Sequence, residues 1–213
     1  MELKPLSIDI LSTFNAVDEE KVNELLKAEL EKLNKKIVVL DDDPTGVQTV
    51  HDINVYTDWE KETLKKGFEE DNSMFFILTN SRGFTVPQTE KAHIEMANNI
   101  AEVSKETGKD YILISRSDST LRGHYPLEPM TLKNEIEKIS DKKFDGEIIY
   151  PFFKEGGRFT INNIHYVKEG DQLTPAGMTE FAKDKSFGYK ASYLPEWCEE
   201  KSKGMYLSLI HIF

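Results

Sequence analysis

Short apolar runs alternate along this chain with longer stretches in which apolar positions recur every three or four residues. The runs are KIVVL at 36–40, INVY at 53–56, FFILT at 75–79, YILIS at 111–115 and EIIY at 147–150. Most are continuous rather than alternating, as in strands buried on both faces. Between them, residues 86–108 and 130–143 carry the helical period. Ahead of the first run, Val22, Leu25, Leu26, Leu30 and Leu33 fall on one stripe of a helix expected over residues 18–34. Strands alternating with helices predict an α/β fold, a mostly parallel sheet with helices on both faces.

Length and charge narrow the function. The 213 residues suit one large domain, 1–204, with residues 1–35 as a helical N-terminal extension. A formal net charge of -11 argues against a phosphate-backbone binder, so no nucleic-acid partner is expected. No segment reaches the roughly 18 apolar residues of a membrane span, and the N-terminus lacks the basic and apolar regions of a secretion signal. A cytoplasmic location is therefore expected. The single cysteine, Cys198, excludes an intrachain disulfide and a Cys-rich zinc site. His51, His93, His124 and His165 lack metal-ligand spacing, so no metal is expected at them. Of these, only His124 is placed to touch a substrate. Trp59 and Trp197 read as packing residues.

The residues after each strand carry the chemistry. The run VVL leads into Asp41, Asp42 and Asp43, and FFIL into Thr79, Asn80, Ser81 and Arg82. ILI leads into Ser115, Arg116, Ser117 and Asp118, and IIY into PFFKEGGR with Arg158. In open parallel sheets ligands bind beyond the carboxyl ends of the strands, which places the site at this edge. One reading takes Asp41, Asp43 and Thr45 as the D-x-D-x-T of a haloacid-dehalogenase-like phosphatase, with Asp41 as nucleophile and Asp43 as acid/base. That chemistry also needs a strand ending in paired acids to hold magnesium, and the later strand ends carry arginines instead.

A second reading rests on longer strings. LDDDPTGVQTVHD, SRSDSTLRGHYPLEP and PFFKEGGRFTINNIHYV together resemble the sugar-acid-binding N-terminal domain of the four-carbon acid sugar kinase family. The family's D-D-x-T-G falls on Asp42, Asp43, Thr45 and Gly46, and its D-S-T-L-R-G on residues 118–123. The resemblance runs from about residue 36 to 204, with a departure at Ser115–Ser117, where many members carry lysine-rich residues. It implies a kinase that phosphorylates threonate, erythronate or a 3-oxo-tetronate. Asp43 or Asp42 would be the base. Thr45, Gly46, Arg82, Arg116, Asp118, Ser119, Arg122, Gly123 and Arg158 would bind the substrate. Each arginine could hold the ligand's carboxylate or one of the chain's own aspartates. ATP and Mg2+ would be bound mainly by a C-terminal domain outside this chain, since no G-x-x-x-x-G-K-[ST] occurs here. The uncharged stretch MYLSLIHIF, 205–213, is expected to be a non-native or truncated tail. A stand-alone sugar-acid-binding module and a homo-oligomer are both compatible with the sequence.

Overall fold

A computed structural model describes residues 3–205. From the N-terminus, a two-residue strand β1 (Leu6–Ser7) and helix α1 (Glu19–Lys32) precede β2 (Lys35–Asp41) and β3 (Val55–Tyr56). Helix α2 (Lys61–Glu69), β4 (Met74–Leu78), α3 (Val86–Thr107), β5 (Asp110–Arg116) and α4 (Leu127–Ile139) follow. The strands β3-β4-β2-β5, in that order, form one parallel sheet. This is the α/β architecture the apolar runs predict.

The pleat decides what each strand buries. Val38 and Leu40 of β2, with Phe75 and Ile77 of β4, meet Leu64 and Phe68 of α2, Met96 and Ile100 of α3, and Ile136 of α4. Burying each such side chain stabilises the fold by about 1.5–3 kcal/mol. Helix α3 is well delimited. Thr85 and Gln88 form a capping box at its start, and Gly108 closes it with φ 65°. On the reverse face Val39 and Phe76 are buried, but Ile112 and Ile114 of the edge strand β5 are exposed. Helices α2, α3 and α4 therefore pack on one another over the buried face of the sheet.

The remainder of the chain builds a second layer. Strands β6 (Arg158–Ile161), β7 (Ile164–Glu169) and β8 (Gln172–Pro175) form an antiparallel sheet to which β1 adds, in the order β1-β8-β7-β6. Asn162 and Asn163, both at positive φ, make the two-residue turn of the first hairpin. Helix α5 (Leu194–Ser202) packs Trp197 into a cluster with Val167, Ala176, Ala182 and Tyr189. Leu121, from the loop after β5, inserts into the same cluster at φ 64° and ties the two layers together. Trp59 packs against the main core, so both tryptophans have the expected role.

Three expectations need correction. Residues 147–150 are not a strand: Ile148 and Tyr150 are exposed, and Ile149 alone is drawn into the second cluster. A strand also needs a backbone partner, and among the described residues this run pairs with none. The run at 53–56 pairs only over Val55–Tyr56. Helix α1 forms as expected, but it buries no residue, and Val22, Leu25, Leu26 and Leu30 stay exposed. Of the tail, residues 206–213 lie outside the described residues. Among the described residues no helix is long and apolar enough to cross a membrane.

Candidate functional site

Register brings the chemistry together. Asp41 at the end of β2 lies directly opposite Arg116 on β5 and Leu78 on β4, so three strand ends finish flush. Arg116 Nη1 lies 3.1 Å from Asp41 Oδ1 and 3.9 Å from Asp43 Oδ1. Arg82, in the turn after β4, donates its fork to Asp42, with Nε 2.9 Å from Oδ2 and Nη2 2.6 Å from Oδ1. Its Nη1 also donates to Asp43 Oδ2. Asp43 Oδ1 accepts from the Thr45 hydroxyl and from the Thr45 backbone N–H at 2.8 Å. Two guanidiniums thus hold three adjacent carboxylates.

These surroundings separate the three acids. Burial pushes Asp41 up to about 6 against the pull of Arg116. Burial also raises Asp42, although Arg82 and Ser117 oppose it. For Asp43 burial acts upwards too, but the bonds from Thr45 and the charges of Arg82 and Arg116 outweigh it, so the group is held below the ordinary range. Asp43 is the least buried of the three and stays ionised at neutral pH. It lines a cleft of about 480 Å³ together with Asp42, Asn80 and Arg82.

The loop 118–123, which follows β5, is held by its own side chains and by the second layer. Asp118 accepts from Arg122 Nε at 2.6 Å and from the Thr120 hydroxyl. The loop's carbonyls are fixed from the second layer: Tyr189 donates to Thr120 at 2.6 Å, and His165 Nε2 lies 2.7 Å from the Ser119 oxygen. A carbonyl only accepts, so His165 Nε2 carries the hydrogen. Thr45, Arg116, Asp118 and Ser119 line a second cleft of about 580 Å³, closed by the β6 hairpin with Arg158.

The chain has four arginines, and all four stand at this edge. Arg82, Arg116 and Arg122 are each paired with an aspartate. Among the described residues Arg158 has no carboxylate partner; its Nη1 donates to the Gly156 carbonyl and its buried Nε–H is left without an acceptor. Phe181 lies under both Arg122 and Arg158, with guanidinium carbons 5.1 and 5.4 Å from the ring centre.

Comparison with known proteins gives the family. A model described as a sugar-binding N-terminal domain matches residues 37–210. The chain belongs to this family. That bears out the resemblance carried by residues 42–46 and 118–123. A domain of unknown function from Bordetella bronchiseptica, solved with bound citrate as a domain-swapped dimer, superposes with a TM-score of 0.55 at 20% identity. A Haemophilus influenzae protein superposes at 0.52 and 18% identity. Each similarity covers 76% of this chain, but only 39% and 38% of those chains. No curated protein matches the family member described here.

Every site residue expected from the sequence is found at this edge, though with divided tasks. Gly46 and Gly123 make room for side chains of the protein itself. A Cβ on Gly46 would sit 1.7 Å from Asp41 Oδ2, and one on Gly123 would sit 2.2 Å from Ser117 Oγ. Gly123 also holds φ 133°, which side chains rarely adopt. Gly123→Ala is expected to cost about 1–3 kcal/mol of stability, read by denaturant unfolding. An unchanged midpoint would contradict this close packing.

His165, Tyr189 and Glu128 belong to the site's frame but escape sequence reasoning; His165 is flagged only by its place in NNIHYV. Oxygens of Asp41, Asp42 and Asp43 lie within 4.8 Å of one another, close enough for a cation. Arg82 and Arg116 already engage these carboxylates, so the set does not fit magnesium without displacing a guanidinium.

Proposed function

We propose that the cleft between the parallel sheet and the β6 hairpin binds a four-carbon sugar acid such as threonate or erythronate. In this reading the domain serves an ATP-dependent kinase of cytoplasmic carbohydrate metabolism. The observation that carries the proposal is Arg158, a cleft-lining guanidinium without an anionic partner among the described residues, in a protein whose other arginines are all paired. A carboxylate is the natural complement of such a fork. The citrate in the Bordetella protein supports a small carboxylate ligand, and its swapped dimer supports a homo-oligomer here as well.

With the acid end at Arg158, the sugar hydroxyls would meet Asp118, Ser119 and Thr45 across the cleft. Asp43, ionised and beside this row, would accept the proton of the reacting hydroxyl, whereas Asp42 is clamped by Arg82 and serves to hold it. ATP with magnesium would supply the phosphoryl group, held mainly by the additional length that the longer solved relatives possess. The phosphatase reading is less well supported. Its nucleophile, Asp41, is buried against Arg116 and Gly46 instead of facing a cleft.

Calorimetry with threonate, erythronate and the neutral polyol erythritol tests the binding. The acids should bind and erythritol should not; equal affinities would sink the carboxylate argument. ATP-dependent phosphorylation by a protein of the relatives' full length then distinguishes a kinase from a stand-alone binding module.

A further inference from the structure

Next to the aspartates lies a buried polar chain to which the proposed reaction gives no role. Glu128, in the first turn of α4, is 3% exposed. Its Oε1 is 2.5 Å from Ser81 Oγ and 3.7 Å from His93 Nε2 on α3. Ser81 Oγ is 3.0 Å from Thr79 Oγ1, which in turn is 3.0 Å from the Asp41 carbonyl oxygen. The chain therefore runs from a buried acid, through two hydroxyls, to the strand end that carries Asp41–Asp43. Ser81 also adjoins Arg82, the residue that clamps Asp42 and Asp43.

Counting hydrogens gives this chain two directions. His93 Nδ1 lies 2.8 Å from the Thr89 carbonyl, so it carries the ring hydrogen, and Nε2 presents a lone pair to Glu128. Burial lowers His93, which keeps the ring neutral. Each hydroxyl has one hydrogen. If Glu128 bears a proton, Glu128 donates to Ser81, Ser81 to Thr79, and Thr79 to the Asp41 carbonyl. If Glu128 is ionised, Ser81 must donate to it, and the one Thr79 hydroxyl hydrogen is divided between Ser81 Oγ and the Asp41 carbonyl, both 3.0 Å away, so the carbonyl's one undivided donor is the Thr79 backbone N–H at 2.9 Å. The ionised form also sets a carboxylate against the bare Nε2 of His93.

We propose that Glu128 is a positioning residue, whose proton fixes the Asp41–Asp43 strand end and the Arg82 turn through Ser81 and Thr79. Burial pushes Glu128 up to about 7; the Ser81 bond opposes this, the charge of Asp42 adds to it and that of Arg82 opposes it. Those groups, with His93 and the more distant His124 beyond it, are the titratable and charged neighbours on the elements around it. The site therefore relaxes as pH rises through this value.

Nuclear magnetic resonance on the full chain tests this without a ligand. The Glu128 carboxyl carbon should titrate near the stated value, and the Arg82 Nε–H resonance should move with the same midpoint. In Glu128→Gln, whose amide can donate to Ser81 at any pH, that Arg82 shift should vanish. In Ser81→Ala the Glu128 titration should persist while the Arg82 shift is lost. Full titration of Glu128 below about pH 5.5 would overturn the proposal. So would an Arg82 shift surviving in Glu128→Gln, because it would then report Asp41 or Asp42. The importance for catalysis rests on the sugar-acid reading. Should threonate fail to bind, these resonances still decide the role of Glu128.

Discussion

Replacing Arg82 with Met is expected to lower stability at pH 7 by about 3–5 kcal/mol, the usual consequence of stranding one partner of a buried ion pair. Arg82 is the only described group that holds Asp42 by two bonds and Asp43 by a third. The Asp42 side chain is 1% exposed, so water cannot take over. Without Arg82, the buried Asp42 keeps Asp43 as a charged neighbour and only Ser117 as a hydrogen-bond partner, which drives its pKa further upwards. The sign follows from linkage. A carboxylate raised in the folded state binds its proton more tightly than in the unfolded chain, so the loss is full above the raised value. It fades as pH falls toward the ordinary value of 3.8. Arg82→Lys keeps the charge without the fork and should lie between the two. Denaturant unfolding at pH 7 and pH 5 measures both effects. A loss below about 1 kcal/mol at pH 7, the range of an exposed pair, would contradict the clamp. A loss equal at both pH values would do the same.

The parallel sheet was legible because its strands are continuous apolar runs separated by helical stretches, and the flush strand ends followed from that. The same rule failed at EIIY, since an apolar run does not reveal whether a neighbouring strand is free to pair with it. The β6–β7 hairpin has no clear apolar signature, because the paired Thr160 and His165 interrupt the pattern. Its signal was Asn162–Asn163, two residues that tolerate positive φ between two strand-like segments.

The site was legible in membership but not in pairing. Asp41 meets Arg116 because β2 and β5 align in register, and Asp118 meets Arg122 because the loop folds back on itself. Neither pairing can be read from residue types, so the sequence left all four arginines equivalent. Glu128 was hidden for a related reason. An acid in the first turn of a helix ordinarily faces water, and only the packing of α4 against Ser81 and His93 shows that this one does not.

Arg158→Met should have the opposite profile to Arg82→Met. No carboxylate of the described protein depends on Arg158, and its Nε–H is already a buried donor without an acceptor. Removing that donor relieves a desolvation penalty, while the Met side chain can still pack on Phe181, so stability should hold or rise slightly. Binding should suffer instead. A hydrogen bond to a charged group contributes about 1.5–3 kcal/mol, so the loss of one predicts threonate affinity lower by roughly 10- to 150-fold. Arg158→Lys retains the charge but not the two parallel donors, and should recover only part of that affinity. Calorimetry with threonate, run beside denaturant unfolding of the same variants, separates the two effects. Unchanged affinity in Arg158→Met would move the acid end of the substrate away from the β6 hairpin. A parallel loss of stability and affinity would make Arg158 a structural residue, and the clefts would then lack an arginine free to receive a carboxylate.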